Sequence, residues 1–241
     1  MFEGQTILKQ ILSVFEYEPC INLHRYPIHV SCRDSTVILE GEVGNIAAKK
    51  LALKLAAAVE GVHSLVDKLH VIPTERKGDG AIRDTVCSFL LGEPVLQNCS
   101  LRALSKGLVE TLREVTGDPS GAIEISVADG VVTLAGRVIS LSHKRLAGVL
   151  AWWAPGCRDV VNRLEVAPPE QDSDDEIGDA LRLALEKDPL VHADQIRVSV
   201  RNRVVTLEGY VVTKEEMKMA EWDAWYLFGV EEVVNNIDVQ K

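Results

Sequence analysis

"VILEGEV" at 37–43, "VTLAGRV" at 132–138 and "VTLEGYV" at 205–211 are one pattern written three times. Apolar side chains alternate around Gly41, Gly136 or Gly209, the period of a strand with one buried face. The agreement continues outward from each glycine. Thirteen residues earlier stands Ile28, Ile123 or Ile196, and twenty residues later Gly61, Gly156 or Gly229. Six further on comes Asp67, Asn162 or Asn235, and two beyond that Leu69, Leu164 or Ile237. So many coincident spacings identify an internal repeat, and a repeat fixes the architecture before any single element does.

Each copy reads as the same series of elements. "IHVSC" (28–32), "IEISV" (123–127) and "IRVSV" (196–200) alternate as half-buried strands. Turns at Arg33-Asp34, Asp129-Gly130 and Arg201-Asn202 fold each of them back onto the glycine strand as a hairpin. Four residues past the first glycine stand Asn45, Ser140 and Thr213, side chains that accept from the free N–H groups of a first helical turn. Thr213 with Glu216 has the spacing of a capping box. The helix is predicted to end at the second glycine in a left-handed cap. "SLVDKLHVI" (64–72), "DVVNRLEVA" (159–167) and "EVVNNIDVQ" (232–240) give a final strand. An amphipathic helix precedes each copy, marked by Ile7, Ile11 and Phe15, by Ile82, Val86 and Leu90, or by Ile177, Leu181 and Leu185.

The prediction is an α+β chain of three tandem α-β-β-α-β domains at 1–72, 81–167 and 173–241. Each has a small three-stranded mixed sheet with two helices on one face. The hairpin is antiparallel, and a helical crossover returns the third strand parallel. "PTERKGDG" (73–80) and "PPEQDSDDE" (168–176) read as polar linkers. The middle copy carries an insertion, 101–122. Within it Leu101, Leu104, Leu108, Leu112 and Val115 follow the candidate N-cap Ser100 at helical spacing. That stripe predicts an extra packing helix, with a partner-binding helix as the alternative.

The v-x-L-x-G-x-V strand, the A-x-x-x-A helix before a glycine and the V-x-N-x-L ending resemble the BON family, the bacterial osmotic-stress and nodulation domains. The resemblance covers nearly the whole chain, and only the insertion departs from it. It implies a non-catalytic binding module linked to osmotic or envelope stress that contacts a phospholipid surface or other envelope components. Some cytoplasmic relatives bind potassium, which gives an ion-sensing protein as the alternative. Potassium would use backbone carbonyls, so no ligands are nominated.

Bulk properties fit a globular protein. Of 241 residues 46% are hydrophobic, and no apolar run approaches the ~20 residues of a membrane span. The first residues lack the basic region of a secretory signal, so the expected location is cytoplasmic, or periplasmic if a leader has been trimmed. Five cysteines without a C-x-x-C pair read as free thiols. A net charge of −10 argues against a nucleic-acid partner.

No residue set carries chemistry. In "CINLHRYPIHVSC" (20–32), Cys20, His24, His29 and Cys32 suggest a zinc set. The register opposes it, because Cys32 takes the inward place of Val127 and Val200 while His29 points to the other face. Cys157 replaces Val62 and Val230 and reads as core. His63, His70, His143 and His192 stand apart from any nucleophile, no phosphate-binding loop is present, and the repeat glycines are spaced for turns and caps. The expectation is no enzyme, no metal and no cofactor.

The functional candidates are aromatic. "EWDAWYLFG" (221–229) holds two Trp, one Tyr and one Phe. On a helical wheel Ala220, Ala224 and Leu227 face the sheet, while Trp222 and Trp225 fall roughly 140–160° away with Tyr226 on the flank. Trp152 holds the outward place of Trp225, and Arg145 lies within about 20° of it. Trp152, Arg145, Trp222, Trp225 and Tyr226 therefore form a candidate outward binding face. Three uses are open to it: packing against a neighbouring repeat or the inserted helix, self-association or another protein partner, and a phospholipid surface.

Overall fold

A computed structural model describes residues 2–33, 35–117 and 119–240. The chain divides into two compact units, Met1–Ile72 and Pro73–Lys241.

The first unit is one α-β-β-α-β domain. Its elements are α1 (Phe2–Tyr17), β1 (Ile28–Arg33), β2 (Thr36–Val43), α2 (Ile46–Ala57) and β3 (Ser64–Val71). β2 lies between β1, antiparallel, and β3, parallel. The inward residues of β2, Val37 and Leu39, meet Ile11 and Phe15 of α1 and Ala52 and Ala56 of α2 in one core, and all six are fully buried. Alanines on the inner face let α2 lie close to the sheet, as their recurrence in all three copies requires. Asp34 of the expected first turn lies outside the described residues.

The second unit contains two such domains. The middle one comprises α3 (Asp79–Gly92), β4 (Cys99–Ser105), β5 (Leu108–Arg113), β6 (Gly121–Ala128), β7 (Val131–Val138), α4 (Leu141–Trp152) and β8 (Asp159–Val166). The last comprises α5 (Asp174–Lys187), β9 (Ile196–Arg201), β10 (Val204–Val211), α6 (Lys214–Tyr226) and β11 (Glu232–Val239). Asn45, Ser140 and Thr213 cap their helices, accepting from Ala48, His143 and Glu216 N–H. The carboxylate of Glu216 reaches one residue beyond the expected capping box, to Val212 N–H at 3.2 Å, and also takes His192 N–H at 2.9 Å.

The insertion is not a helix. It forms the hairpin β4–β5, which extends the middle sheet to five strands in the order β5-β4-β6-β7-β8. Two features of its sequence outweigh the leucine stripe. Cys99, Leu101 and Ala103 are buried at period two against α3, while Leu108 is 76% exposed and so lies off any buried stripe. Lys106 and Gly107 both take positive φ, +51° and +80°, the turn that matches the twist of a two-residue hairpin. Arg113 then ties the hairpin down, donating to the carbonyls of Cys99, Leu91 and Leu96.

The first glycine of each repeat is neither a turn nor a cap. Gly41, Gly136 and Gly209 lie inside β2, β7 and β10. A Cβ at Gly41 would sit 2.8 Å from the Pro27 carbonyl oxygen, and at Gly136 and Gly209 it would strike the carbonyls of Ala122 and Gln195. Only a residue without a side chain lets the chain entering the first strand cross there. Gly61, Gly156 and Gly229 have φ of +89°, +93° and +96° in the turn after each helix, a conformation that favours glycine.

Candidate functional site

The aromatic residues of α4 and α6 build a joint between the middle and last domains. α4 is buried along 145–151 without a break. One face, with Ala147 and Ala151, lies on its own sheet, while Val149 belongs to the core of the last domain. At its end Trp152 stacks on Tyr226 of α6, with ring centroids 5.2 Å apart and planes 11° from parallel. Trp153 Nε1 donates to Asp223 Oδ1 at 2.7 Å.

A second set of contacts closes the other side. Arg145, fully buried, donates through Nε to the Phe228 carbonyl at 3.0 Å and through Nη2 to Asp172 of the linker. Arg203 lies 3.8 Å from the other oxygen of Asp172. Lys187 at the end of α5 pairs with Glu93 of the middle domain at 2.9 Å. A buried arginine held by a carboxylate and a carbonyl is a fixed strut, since removing either partner would leave its charge without water.

The electrostatics of the joint centre on Asp223. Burial pushes its carboxyl up to about 8, with neighbouring Asp188 adding to the rise and the Trp153 bond opposing it. Burial also raises the Tyr226 hydroxyl, as does Asp223. At the opposite end of α6 burial works to raise Glu216, but the N–H of His192, the His192 ring and the Val212 N–H hold it below its ordinary value.

The aromatics therefore do not form an open face. Trp152, Trp222 and Tyr226 are half-buried, Trp225 is 2% exposed and Arg145 is fully buried. Trp152, Tyr226 and Arg145 meet at the joint. Direction from the sheet on a helical wheel does not single out Trp153, Asp223 or Asp188. One signal was available: Asp223 occupies the register position of Leu55 and Leu150, an acid at a place that the sister repeats keep apolar.

Outside the joint, the repeat's polar position ties helix to strand. Asn162 donates to the Lys144 carbonyl at 2.8 Å and Asn235 to that of Met217 at 3.3 Å, while in the first domain Asp67 instead pairs with Lys49 at 3.0 Å. Among the described residues no group of three or more His, Cys, Asp or Glu is placed to hold a metal ion. Cys20 is exposed and Cys32 intermediate, whereas Cys157 is buried. No helix among them is long and apolar enough to cross a membrane.

The family profile of the BON domain matches residues 5–73, 100–168 and 173–241. Osmotically-inducible protein Y of Escherichia coli (strain K12) is 28% identical over 150 residues, which are 60% of this chain and 64% of that protein. The match thus spans less than two thirds of the relative's length. Two structures of CdsD, a structural protein of the type III secretion system of Chlamydia trachomatis, align at 15% identity. They cover 98% of this chain and 98% or 92% of theirs, with TM-scores of 0.26 and 0.25. The expectation of a cytoplasmic location is corrected by the relative, since osmotically-inducible protein Y is periplasmic or secreted. The potassium alternative finds no support in either match.

Proposed function

The chain belongs to the BON domain family, a non-catalytic module, and on that premise we propose a tandem interaction protein of osmotic stress that contacts a phospholipid surface. The relative's name supplies the osmotic link. With Trp225 buried and Trp152 stacked on Tyr226, we assign the contact to more exposed aliphatic side chains. The observation that carries this reading is at one end of the last domain. There Leu190 is 62% exposed and Val212 60% exposed. The Glu216 carboxylate holds their two loops together by accepting His192 and Val212 N–H. Ile139, 43% exposed, stands at the same register position as Val212 in the middle domain.

Charge decides how such a contact works. The last repeat is acidic, so attraction to anionic headgroups is weak and apolar insertion drives binding. Burying one such side chain is worth about 1.5–3 kcal/mol. Flotation with phosphatidylcholine vesicles tests the reading, comparing the wild type with Leu190→Ser/Val212→Ser. The double variant is expected to lose at least about tenfold in bound protein. A wild type that does not float, or a variant that floats equally well, refutes the membrane contact and turns the same surface over to a protein partner.

A further inference from the structure

Buried carboxyl groups are either paired with donors or neutral. Asp223 is fully buried and Asp188 is 5% exposed. Each has one satisfied oxygen. Asp223 Oδ1 accepts from Trp153 at 2.7 Å, and Asp188 Oδ1 accepts Leu190 N–H at 2.8 Å. The second oxygen of each, Oδ2 in both, is buried with no donor among the described residues. The Asp188 carboxyl lies within hydrogen-bonding reach of Asp223. One proton held between two facing carboxyl oxygens satisfies both, since the protonated one donates to the other.

Among the described residues no positive charge is paired with either carboxyl. Tyr226 on α6 lies close to both carboxyls, with Cys157 beside it, and neither brings positive charge. Arg145 is committed to Asp172 and the Phe228 carbonyl, and Lys187, next to Asp188, is committed to Glu93.

We propose that Asp188 and Asp223 share one proton and that this proton locks the joint, so that its loss draws Trp152 and Trp153 away from α6. With both groups ionised, two like charges face each other out of water, and one of them must be hydrated. α5 and α6 share the core of the last domain through Leu181, Ala220 and Ala224. Water therefore enters at less cost by lifting the tryptophans, which come from the other domain. The direction of the Asp223 shift agrees with this. Its carboxyl is raised from 3.8 to about 8, so between those values the closed joint holds a proton that the open one releases. The contribution of this pair to closure is complete below 3.8, falls as pH rises and is gone above about 8.

This inference does not depend on whether Leu190 and Val212 meet a membrane. Hydrogen–deuterium exchange on the full chain at pH 6 and pH 8, corrected for intrinsic rates, tests it. Opening at 146–154 together with 220–227 is expected to rise about tenfold from pH 6 to pH 7 and roughly 50-fold over the whole interval. Exchange in 1–72 serves as the reference. Asp223→Asn keeps an acceptor for Trp153 and supplies a permanent N–H to Asp188, so its joint is expected to show no such rise. Asp188→Asn places the same permanent donor from the other side and serves if the first variant fails to fold. An equal pH response in wild type and variant overturns the proposal. So does a response confined to 184–190 that leaves 146–154 protected.

Discussion

Asp174, the first residue of α5, accepts the backbone N–H of Arg203 at 2.9 Å, and its other oxygen takes the neighbouring Asn202 N–H. Asp79 grips the middle hairpin in the same way, through Gly130 N–H at 2.8 Å and Asp129 N–H at 3.0 Å. A carboxylate on the first helical turn thus clamps the turn between the first two strands of its repeat. Asn202 and Arg203 have φ of +51° and +62°, so the clamp also offsets backbone strain at non-glycine residues. The first domain has Gly4 in the corresponding place.

Removing the clamp should therefore be felt at the hairpin. Asp174→Ala is expected to destabilise the last domain by about 1–2 kcal/mol, the lower part of the range for charged hydrogen bonds because the turn is exposed. Urea unfolding followed by tryptophan fluorescence measures the loss. An unchanged midpoint would show that water replaces the carboxylate without cost.

Arg145 should be among the least replaceable residues of the chain. Arg145→Ala strands Asp172 and the Phe228 carbonyl and leaves a hole in a buried helix face, at a cost of about 3–5 kcal/mol. Arg145→Lys should recover little of this, because an ammonium cannot reach both partners with the planar geometry of a guanidinium. Thermal unfolding of the two variants distinguishes the cases. Near-complete rescue by lysine would reduce the strut to a point charge.

The cysteines should separate by reactivity. Burial pushes the Cys87 thiol up to about 11 and raises that of Cys99, while Arg113 works against the rise at Cys99. Cys20 is exposed. At pH 8 an aromatic disulfide reagent is expected to label Cys20 within minutes. Cys87, Cys99 and Cys157 should react only on unfolding, because the thiolate is the attacking species. Rapid modification of Cys87 in the native protein would contradict its burial.

The repeats were legible because burial in a small sheet repeats every second residue and in its helices every three or four. The position of Ile11, Val86 and Leu181 within each copy is therefore a property of the local sequence. The insertion misled because its leucines satisfy a helical spacing from Leu101 to Leu112 while Cys99, Leu101 and Ala103 satisfy a strand. Lys106-Gly107, which settles the matter, is a turn whose weight appears only when the strands beside it are recognised. The joint was hidden for another reason. Packing between domains follows no period, so Trp153 carries no pattern to be read, and Asp223 stands out only against Leu55 and Leu150 of the sister repeats. What the sequence did contain was the run "LAGVLAWWA" (146–154), apolar on every side of its helix, the mark of an element covered from two directions.

The β4–β5 hairpin also changes which strand edge the middle sheet leaves open. In the outer domains β1 and β9 end their sheets, and an open strand edge is a template for stacking chain upon chain into aggregates. On β9 that hazard is blunted by Arg182, which occupies the Val198 carbonyl at 3.2 Å. In the middle domain the equivalent strand, β6, is sealed on both sides, and the exposed rim moves outward to β5, where Glu110 and Arg113 break the apolar run. The insertion thus hands the open edge of the central sheet from a strand of the repeat to a short strand that the sister domains lack.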